Sequence, residues 1–461
     1  MTTIPRLNRT LLIATSALAL AAAAPAGASS LSVIYQPTDE PGPVTLLPPV
    51  TVKTGVISGT PQGGQGSGDL FLLTQNKKSQ TYTRTTIYTF ANANAPVDGS
   101  APSPNLVADK KGNIWGTTQG NGANGNGTLY ELVAPATRKG AYTFRLVMQM
   151  PAQFTHEFAG DGFDQLAFDT KGNLFGLIRG DLNGTGLGGI FEVTKAQLAS
   201  GNGAPALLYT FPSSDDSLPY GLAIDQHGNM FGVEPRGGSV PIDDYYAGAL
   251  WEVSPPAKKG GAYTRQNIYN FCSIVNSNND CADGWLPMGG VSIGPNGTVY
   301  GTTFYEGVDP NGNVANGTIW SAQPPSGGSG PWTFTTLHTL YNYNADGSNS
   351  SDYYVMFPIN PPLLLPSGQL VITPTYGGAF DEPNDLAVVQ GGVLGVNTST
   401  GDDGMINNAF AAYNVQAGPV TNTTGISMDK AGNLYGVTSA YYAPNGCSGA
   451  CTDGTIFKVT P

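Results

Sequence analysis

One stretch, Asp98 to Val133, returns along the whole chain with drift: DGSAPSPNLVADKKGNIWGTTQGNGANGNGTLYELV. Later copies read DGFDQLAFDTKGNLFGLI…GGIFEV, LPYGLAIDQHGNMFGVE…GALWEV, DGWLPMGGVSIGPNGTVYGTT…NGTIWSA and GISMDKAGNLYGVTS…DGTIFKV. Self-similarity of this kind restricts a chain to repeat architectures, in which each copy buries its apolar faces against its neighbours.

Each copy has the same parts. A short apolar strand runs up to an Asp, as in Leu106–Asp109, Leu166–Asp169, Leu222–Asp225 and Ile426–Asp429. A tight turn ending in Gly-Asn leads to a second strand: Ile114–Thr118, Leu174–Ile178, Met230–Val233, Val299–Thr303 and Leu434–Thr438. A Gly/Asn-rich loop precedes a third strand: Thr128–Val133, Ile190–Val193, Ala249–Val253, Thr318–Ala322 and Thr455–Val459. A fourth strand ends in a Tyr-x-Phe pattern, at Thr86–Phe90, Leu207–Phe211 and Asn267–Phe271. Alternation within these runs fits half-buried strands.

The turn glycines keep the register. They are Gly55, Gly112, Gly172, Gly228, Gly297, Gly368 and Gly432, spaced 56 to 71 residues apart. The copies at Gly55 and Gly368 are degenerate but in phase. The expected fold is therefore all-β: a seven-bladed β-propeller of four-stranded blades. A β-solenoid would need shorter coils, and separate domains would need linkers. Residues 32–36 have the pattern of a fourth strand, while the last copy stops after its third strand, Gly454–Thr460. The N-terminal strand is thus expected to close the last blade and leave no open sheet edge.

The signature GNLYG(T/V)T…GTIFKVTP, at residues 425–461 and in drifted form at 98–133, resembles the GloVer (Gloeobacter/Verrucomicrobia) tandem repeat of bacterial exported proteins. The resemblance covers most of the chain after its first 28 residues, with four or five close copies. It departs at Gly55-Val56-Ile57-Ser58, which lacks the Asn, and at Gly368-Gln369-Leu370, which lacks the closing Gly. The resemblance implies a propeller-like, exported protein, often attached to a surface. It brings no activity and no catalytic residues.

The N-terminus is consistent with export. Arg6 and Arg9 precede an apolar run from Leu11 to Ala24, and Ala26-Gly27-Ala28 supplies small residues at a cleavage site. Residues 1–28 read as a signal peptide cut after Ala28, and residues 29–461 as one propeller domain, secreted or periplasmic. No second apolar run of about 18 residues follows, so no membrane span is expected. The net charge of −12 argues against nucleic acid or an anionic membrane as partner. Only 11% of residues are charged while 10% are aromatic, the opposite of a disordered composition. Cys272 with Cys281, and Cys447 with Cys451, each bracket one loop. Local disulfides are the simplest of the three connectivities, and with three histidines in the chain a zinc site is poorly supplied.

Three motif classes invite a functional reading. Asp109-Lys-Lys-Gly112-Asn113 and its kin at Asp169, Asp225 and Asp429 resemble calcium loops but lack the spaced acids and distal Glu. Their recurrence fits a strand-to-strand turn in which Asp bonds its own backbone. The Gly-rich loop at 120–127 lacks the Lys and following helix of a phosphate loop. The loops that break the repeat carry aromatics and acids together, and these supply the candidate ligand-binding residues: His156, Asp161, Asp164, Asp216, Tyr220, Tyr245, Asp283, Trp285, Asp352 and Tyr354. Aromatic faces beside carboxylates at a concave mouth suit a sugar, or a cation beneath a ligand. The only cofactor that this composition suggests is Ca²⁺; otherwise none is expected.

No Gly-x-Ser-x-Gly elbow and no His-Glu-x-x-His occurs. The expectation is a monomeric, exported, non-catalytic propeller that binds an extracellular or periplasmic ligand such as polysaccharide. The alternative is a secreted enzyme, either lactonase-like with a divalent cation in the channel or cleaving glycans with paired carboxylates.

Overall fold

The computed structural model describes residues 30–37, 46–60, 68–90, 97–137, 140–152, 154, 163–179, 188–212, 219–242, 245–309, 312–328, 330–340, 358, 360–372, 393–397, 403–407, 425–437 and 454–460. Almost all the regular structure is antiparallel strand, with one short helix at Lys195–Ser200 among the described residues.

The strands form up-and-down sheets in chain order. Sheet 1 comprises Val50–Val52, Gly55–Thr60, Asp69–Gln75 and Tyr82–Thr89. Sheet 2 holds Ser100–Pro102, Val107–Ala108, Ile114–Gly120, Thr128–Val133 and Thr143–Gln149. Sheet 3 is Phe163–Phe168, Leu174–Arg179, Gly188–Val193 and Ala206–Thr210; sheet 4 is Tyr220–Ile224, Met230–Glu234, Ala249–Ser254 and Thr264–Asn270. Sheet 5 is Val291–Ile293, Val299–Thr302, Thr318–Gln323 and Thr333–Thr339; sheet 6 is Leu363–Leu364, Gln369–Ile372, Val393–Asn397 and Asp403–Asn407. Sheet 7 joins Ser427–Met428, Leu434–Val437 and Ile456–Thr460 to the N-terminal strand Ser30–Tyr35.

One correction to the sequence reading follows. Seven four-stranded blades were expected, and six sheets have four strands. Sheet 2 has five, because Ser100–Pro102 and Val107–Ala108 both pair with Ile114–Gly120. The innermost strand is split there by Pro102 and Pro104, which have no N–H to give a continuous ladder. The closing strand lies where residues 32–36 placed it: Leu31 pairs with Val459 and Val33 with Phe457.

The arrangement is a β-propeller whose core lies between sheets rather than at one centre. Ile57, Leu70, Ile114 and Tyr130 fill the gap between sheets 1 and 2. Trp115, Met148, Leu174 and Phe191 fill the next gap, and Phe175, Phe211, Met230 and Trp251 the one after. Phe231, Phe271, Val299 and Trp320 join sheets 4 and 5, and Tyr300, Ile319, Leu370 and Val396 join sheets 5 and 6. Val371, Leu434 and Phe457 link sheet 6 to sheet 7, and Val56, Phe71, Tyr435 and Val437 link sheet 7 back to sheet 1. The second strands touch two gaps at once. Leu174 and Ile178 face sheet 2 while Phe175 and Leu177 face sheet 4, which is why Leu174–Arg179 is buried along its length and apolar up to Ile178.

The closing glycine of the repeat now has a cause. Gly116, Gly176, Gly232, Gly301 and Gly436 pair with Tyr130, Phe191, Trp251, Trp320 and Phe457 of the third strand. A Cβ on Gly176 would lie 2.1 Å from the Phe191 ring, and one on Gly232 would lie 2.2 Å from the Trp251 ring. The aromatic ring lies flat over the glycine and fills the gap between sheets. The pairing couples strand register to core packing.

Candidate functional site

In an up-and-down sheet, the first-to-second and third-to-fourth connections emerge at one end, and the second-to-third and sheet-to-sheet connections at the other. The ring thus has a short-turn face and a long-loop face. Each carries its own candidate chemistry.

On the short-turn face the recurring Asp is structural. The Asp109 carboxylate accepts from the N–H groups of Lys111 (2.8 Å) and Asn113 (3.0 Å) and from Asn113 Nδ2 (2.9 Å). Asp169, Asp225 and Asp429 repeat the arrangement. Asn113 and Asn173 then accept, through Oδ1, from the N–H groups of Ala134 (2.9 Å) and Lys195 (3.0 Å) at the ends of the third strands. Each turn is welded to its own sheet. Burial pushes the Asp429 carboxyl up. Donors from Asn433, Ala431 and Tyr435 more than offset this, leaving it below the usual carboxylate range.

Asp283, expected among the ligand residues, is instead a buried latch. It is 0% exposed; its Oδ2 accepts from Tyr269 Oη (2.5 Å) and Ser273 N–H (3.0 Å), and its Oδ1 from Ile274 N–H (3.3 Å). Burial raises its pKa despite these donors. Asp98 occupies the same place after sheet 1, accepting from Tyr88 Oη at 2.5 Å. The Tyr-x-Phe end of a fourth strand therefore clamps the Asp-Gly that opens the next sheet. Thr118–Thr128 and Thr303–Thr318 hydroxyl pairs lie beneath the clamp and donate to the carbonyls of Asp98 and Asp283.

Three loops of the long-loop face, from sheets 4 and 5, form one ordered platform. Cys272 and Cys281 form a disulfide with Cα atoms 4.6 Å apart. Cys281 N–H donates to Glu306 Oε2 (2.6 Å), and Gly307 N–H to the Cys281 carbonyl (3.0 Å). Trp285 and Tyr305 exchange backbone hydrogen bonds (3.0 and 3.2 Å), and their rings pack at 4.9 Å. Leu286 N–H donates to the Ala247 carbonyl (2.9 Å), tying in the hairpin Pro241–Ile242/Tyr245–Tyr246. Tyr245, Tyr246 and Tyr305 stay 48%, 40% and 38% exposed, with Ile274, Val275 and Val314 beside them. These are six of the eight exposed large apolar side chains among the described residues, so the apolar surface is gathered here rather than scattered. Arg236 lies over the Tyr245 ring at 4.2 Å.

Of the expected site residues, the structure brings Tyr245 and Trp285 to this platform, with Trp285 half-buried. Tyr220 lies on the innermost strand of sheet 4 under the Arg179 guanidinium, 3.7 Å from its ring centre. His156, Asp161, Asp216, Asp352 and Tyr354 lie outside the described residues, as do the Asp164 side chain, Cys447 and Cys451. Sequence reasoning missed Tyr305 and Arg236. A signal existed: the sequence Asp309-Pro-Asn-Gly312-Asn313 repeats the Asp–Asn pattern, and Asn313 N–H lies 2.7 Å from Asp309 Oδ1.

The short-turn face holds two cavities that the repeat gave no reason to expect. The larger, about 1120 Å³, lies between the turns of sheets 4, 5 and 6, against Trp332, Phe231, His227 and Asn296. Both its carboxylates are engaged, Asp225 within its own turn and Glu252 by Ser254 Oγ (2.9 Å) and Gln266 Nε2 (2.7 Å). The smaller, about 510 Å³, lies between sheets 2 and 3. Among the described residues no group of three or more His, Cys, Asp or Glu side chains is placed to hold a metal.

No family model matches the chain, and no curated relative matches it. Among solved structures it is similar to virginiamycin B lyase from Staphylococcus aureus, at 12% identity over 94% of this chain and 99% of that one, with a TM-score of 0.46. It is also similar to the polysaccharide lyase Uly1, at 11% identity over 92% and 90%, with a TM-score of 0.44. A gluconolactonase from Xanthomonas campestris shares 11% identity over 94% and 89%, with a TM-score of 0.38. Likenesses this remote carry no inference about activity.

Proposed function

We propose that this chain is an exported β-propeller that binds polysaccharide on its long-loop face without cleaving it. The observation that carries the reading is the exposure of Tyr245, Tyr246 and Tyr305 on loops held together by the Cys272–Cys281 disulfide and cross-loop hydrogen bonds. A tyrosine offers a flat apolar face with a polar tip, which suits the C–H face of a sugar ring and its hydroxyls. Loops ordered before binding lose little further entropy when a ligand settles on them. Asp283, the candidate acid in the loop that carries Trp285, is consumed by the scaffold, which fits binding better than acid–base chemistry.

The test is titration of purified protein against a panel of neutral polysaccharides, with product release followed in parallel. Tyr305→Ala and the double variant Tyr245→Ala/Tyr246→Ala are expected to weaken binding roughly tenfold each, as loss of an aromatic anchor does. Their melting temperatures should stay unchanged. Release of sugar products, or binding indifferent to all three tyrosines, would overturn the reading.

A further inference from the structure

The repeat separates what a turn needs from what it does not. Asp, Gly and Asn recur because they build the turn; the two residues between Asp and Gly face solvent and are unconstrained. In sheet 4 they are Gln226 and His227, and in sheet 7 Lys430 and Ala431. In sheets 2 and 3, which are neighbours, they are Lys110-Lys111 and Thr170-Lys171. These two turns face each other across the smaller cavity, close enough that Lys110 Nζ reaches the Thr170 carbonyl at 3.4 Å.

A second departure from the repeat lies at the same seam. Only sheet 3, among the described residues, has a helix between its third and fourth strands. That helix, Lys195–Ser200, is capped by Thr194 and forms one wall of the cavity through Lys195 and Leu198. Arg145 of sheet 2 reaches across and donates to the Leu198 carbonyl at 2.8 Å while held by Glu131 at 2.6 Å. Beneath them lie Trp115 and Phe168, whose rings pack edge to face.

Five of the chain's 20 cationic side chains therefore line one groove of about 510 Å³, in a protein of net charge −12. The three carboxylates there are engaged: Asp109 and Asp169 inside their own turns, Glu131 by Arg145. Neither turn geometry nor overall charge calls for this. An aromatic and apolar floor beneath a rim of exposed ammonium groups fits a ring with one apolar face that carries an anion.

We propose that the groove between sheets 2 and 3 binds an acidic saccharide chain, carrying carboxylate or sulfate groups, at a site separate from the tyrosine platform. Its volume falls within the usual range for small-ligand sites, and exposed lysines would meet the anions as point charges.

The test is titration calorimetry of the full chain with polygalacturonate, dextran sulfate, uncharged dextran and duplex DNA. Binding to polygalacturonate or dextran sulfate is expected, and which of the two binds tighter names the anion. Raising salt from about 0.05 M to about 0.5 M should weaken it, since exposed charges are screened over a shortening Debye length. Lys111→Glu/Lys171→Glu should lower affinity at least roughly tenfold, while Lys111→Arg/Lys171→Arg keeps it and Lys258→Glu/Lys259→Glu, on another sheet, leaves it unchanged. Should the reversal variant fail to fold, the salt dependence and the arginine variant still decide. The proposal is overturned by no binding to either acidic polymer, by DNA binding as tightly, or by equal losses from the two charge reversals. Because Tyr305→Ala leaves this groove intact, failure of the platform and failure of the groove read out separately.

Discussion

On the short-turn face, Asp109, Asp169, Asp225 and Asp429 make the same contacts with the same partners, one sheet after another. On the long-loop face of sheets 4 and 5, a disulfide, a two-stranded hairpin and a Trp285–Tyr305 bridge each occur once among the described residues. The first face is built by a rule, so its information lies in the positions that the rule leaves open, such as Lys111 and Lys171. The second is built from exceptions, so its information lies in what the exceptions hold in place, three exposed tyrosines. A repeat displays its scaffold by recurrence, and a functional surface is what recurrence fails to explain.

The contrast can be broken by substitution, beginning with the largest effect. Asp283→Ala leaves Tyr269 Oη and two backbone N–H groups without their acceptor and should cost about 3 kcal/mol in chemical denaturation. Saccharide affinity of the folded fraction should hold; a binding loss with unchanged stability would return Asp283 to the ligand site. Next, Cys272→Ser/Cys281→Ser should cost about 2–3 kcal/mol on the chain-entropy account of a loop this short. It should also weaken neutral-polysaccharide binding, which no turn-face substitution does.

Acid titration sharpens the contrast further, because two aspartates on opposite faces are shifted in opposite senses. Asp429 has a folded-state pKa below its ordinary value, so it contributes stability above that value and loses it as pH falls through the lowered one. Asp283 is raised, so its contribution falls as pH climbs from the ordinary value through the raised one. Melting curves from about pH 7 to about pH 3 should show Asp429→Asn converging on the parent protein with acid. Asp283→Asn should gain on the parent as pH rises over the same range. Parallel curves for both would mean that neither carboxylate is held as described. The smallest stability effect is expected for Tyr245→Ala, within about 0.5 kcal/mol of the parent, as for an exposed side chain outside the core.

The sheets were legible because recurrence marks them. Even the degenerate copy at Gly55-Val56-Ile57-Ser58 falls into place, with Ser58 in the glycine position opposite Phe71. What was missed in sheet 2 was local: Ser100–Pro102, ahead of the expected strand at Leu106–Asp109, adds a fifth strand from a proline-rich stretch with no hydrophobic run to mark it. Much less of the sites could be read. Asp283 and Tyr245 looked alike as members of acidic, aromatic loops, yet one is 0% and the other 48% exposed. Only packing of Tyr269 against the next sheet's entry decides that. The lysine groove was invisible for a different reason. Its walls come from turns 60 residues apart, Gly112 and Gly172, and nothing within either turn shows that they face one another.

The pairing of Ser30–Tyr35 with Ile456–Thr460 sets a condition on how the molecule comes into being. More than 400 residues separate the two strands, and at 5–20 residues per second the wait between them is roughly 20 to 90 s. Sheets 1 to 6 use only neighbouring segments and can assemble as they emerge, whereas sheet 7 must stay open until Ile456–Thr460 has been made. Throughout that interval Val33 and Tyr35 lack their strand partners, and sheet 1, through Phe71, is the neighbour that Tyr35 can already pack against. Pairings of such long sequence separation are the slow ones to form, so closure of sheet 7 is expected to trail the other sheets.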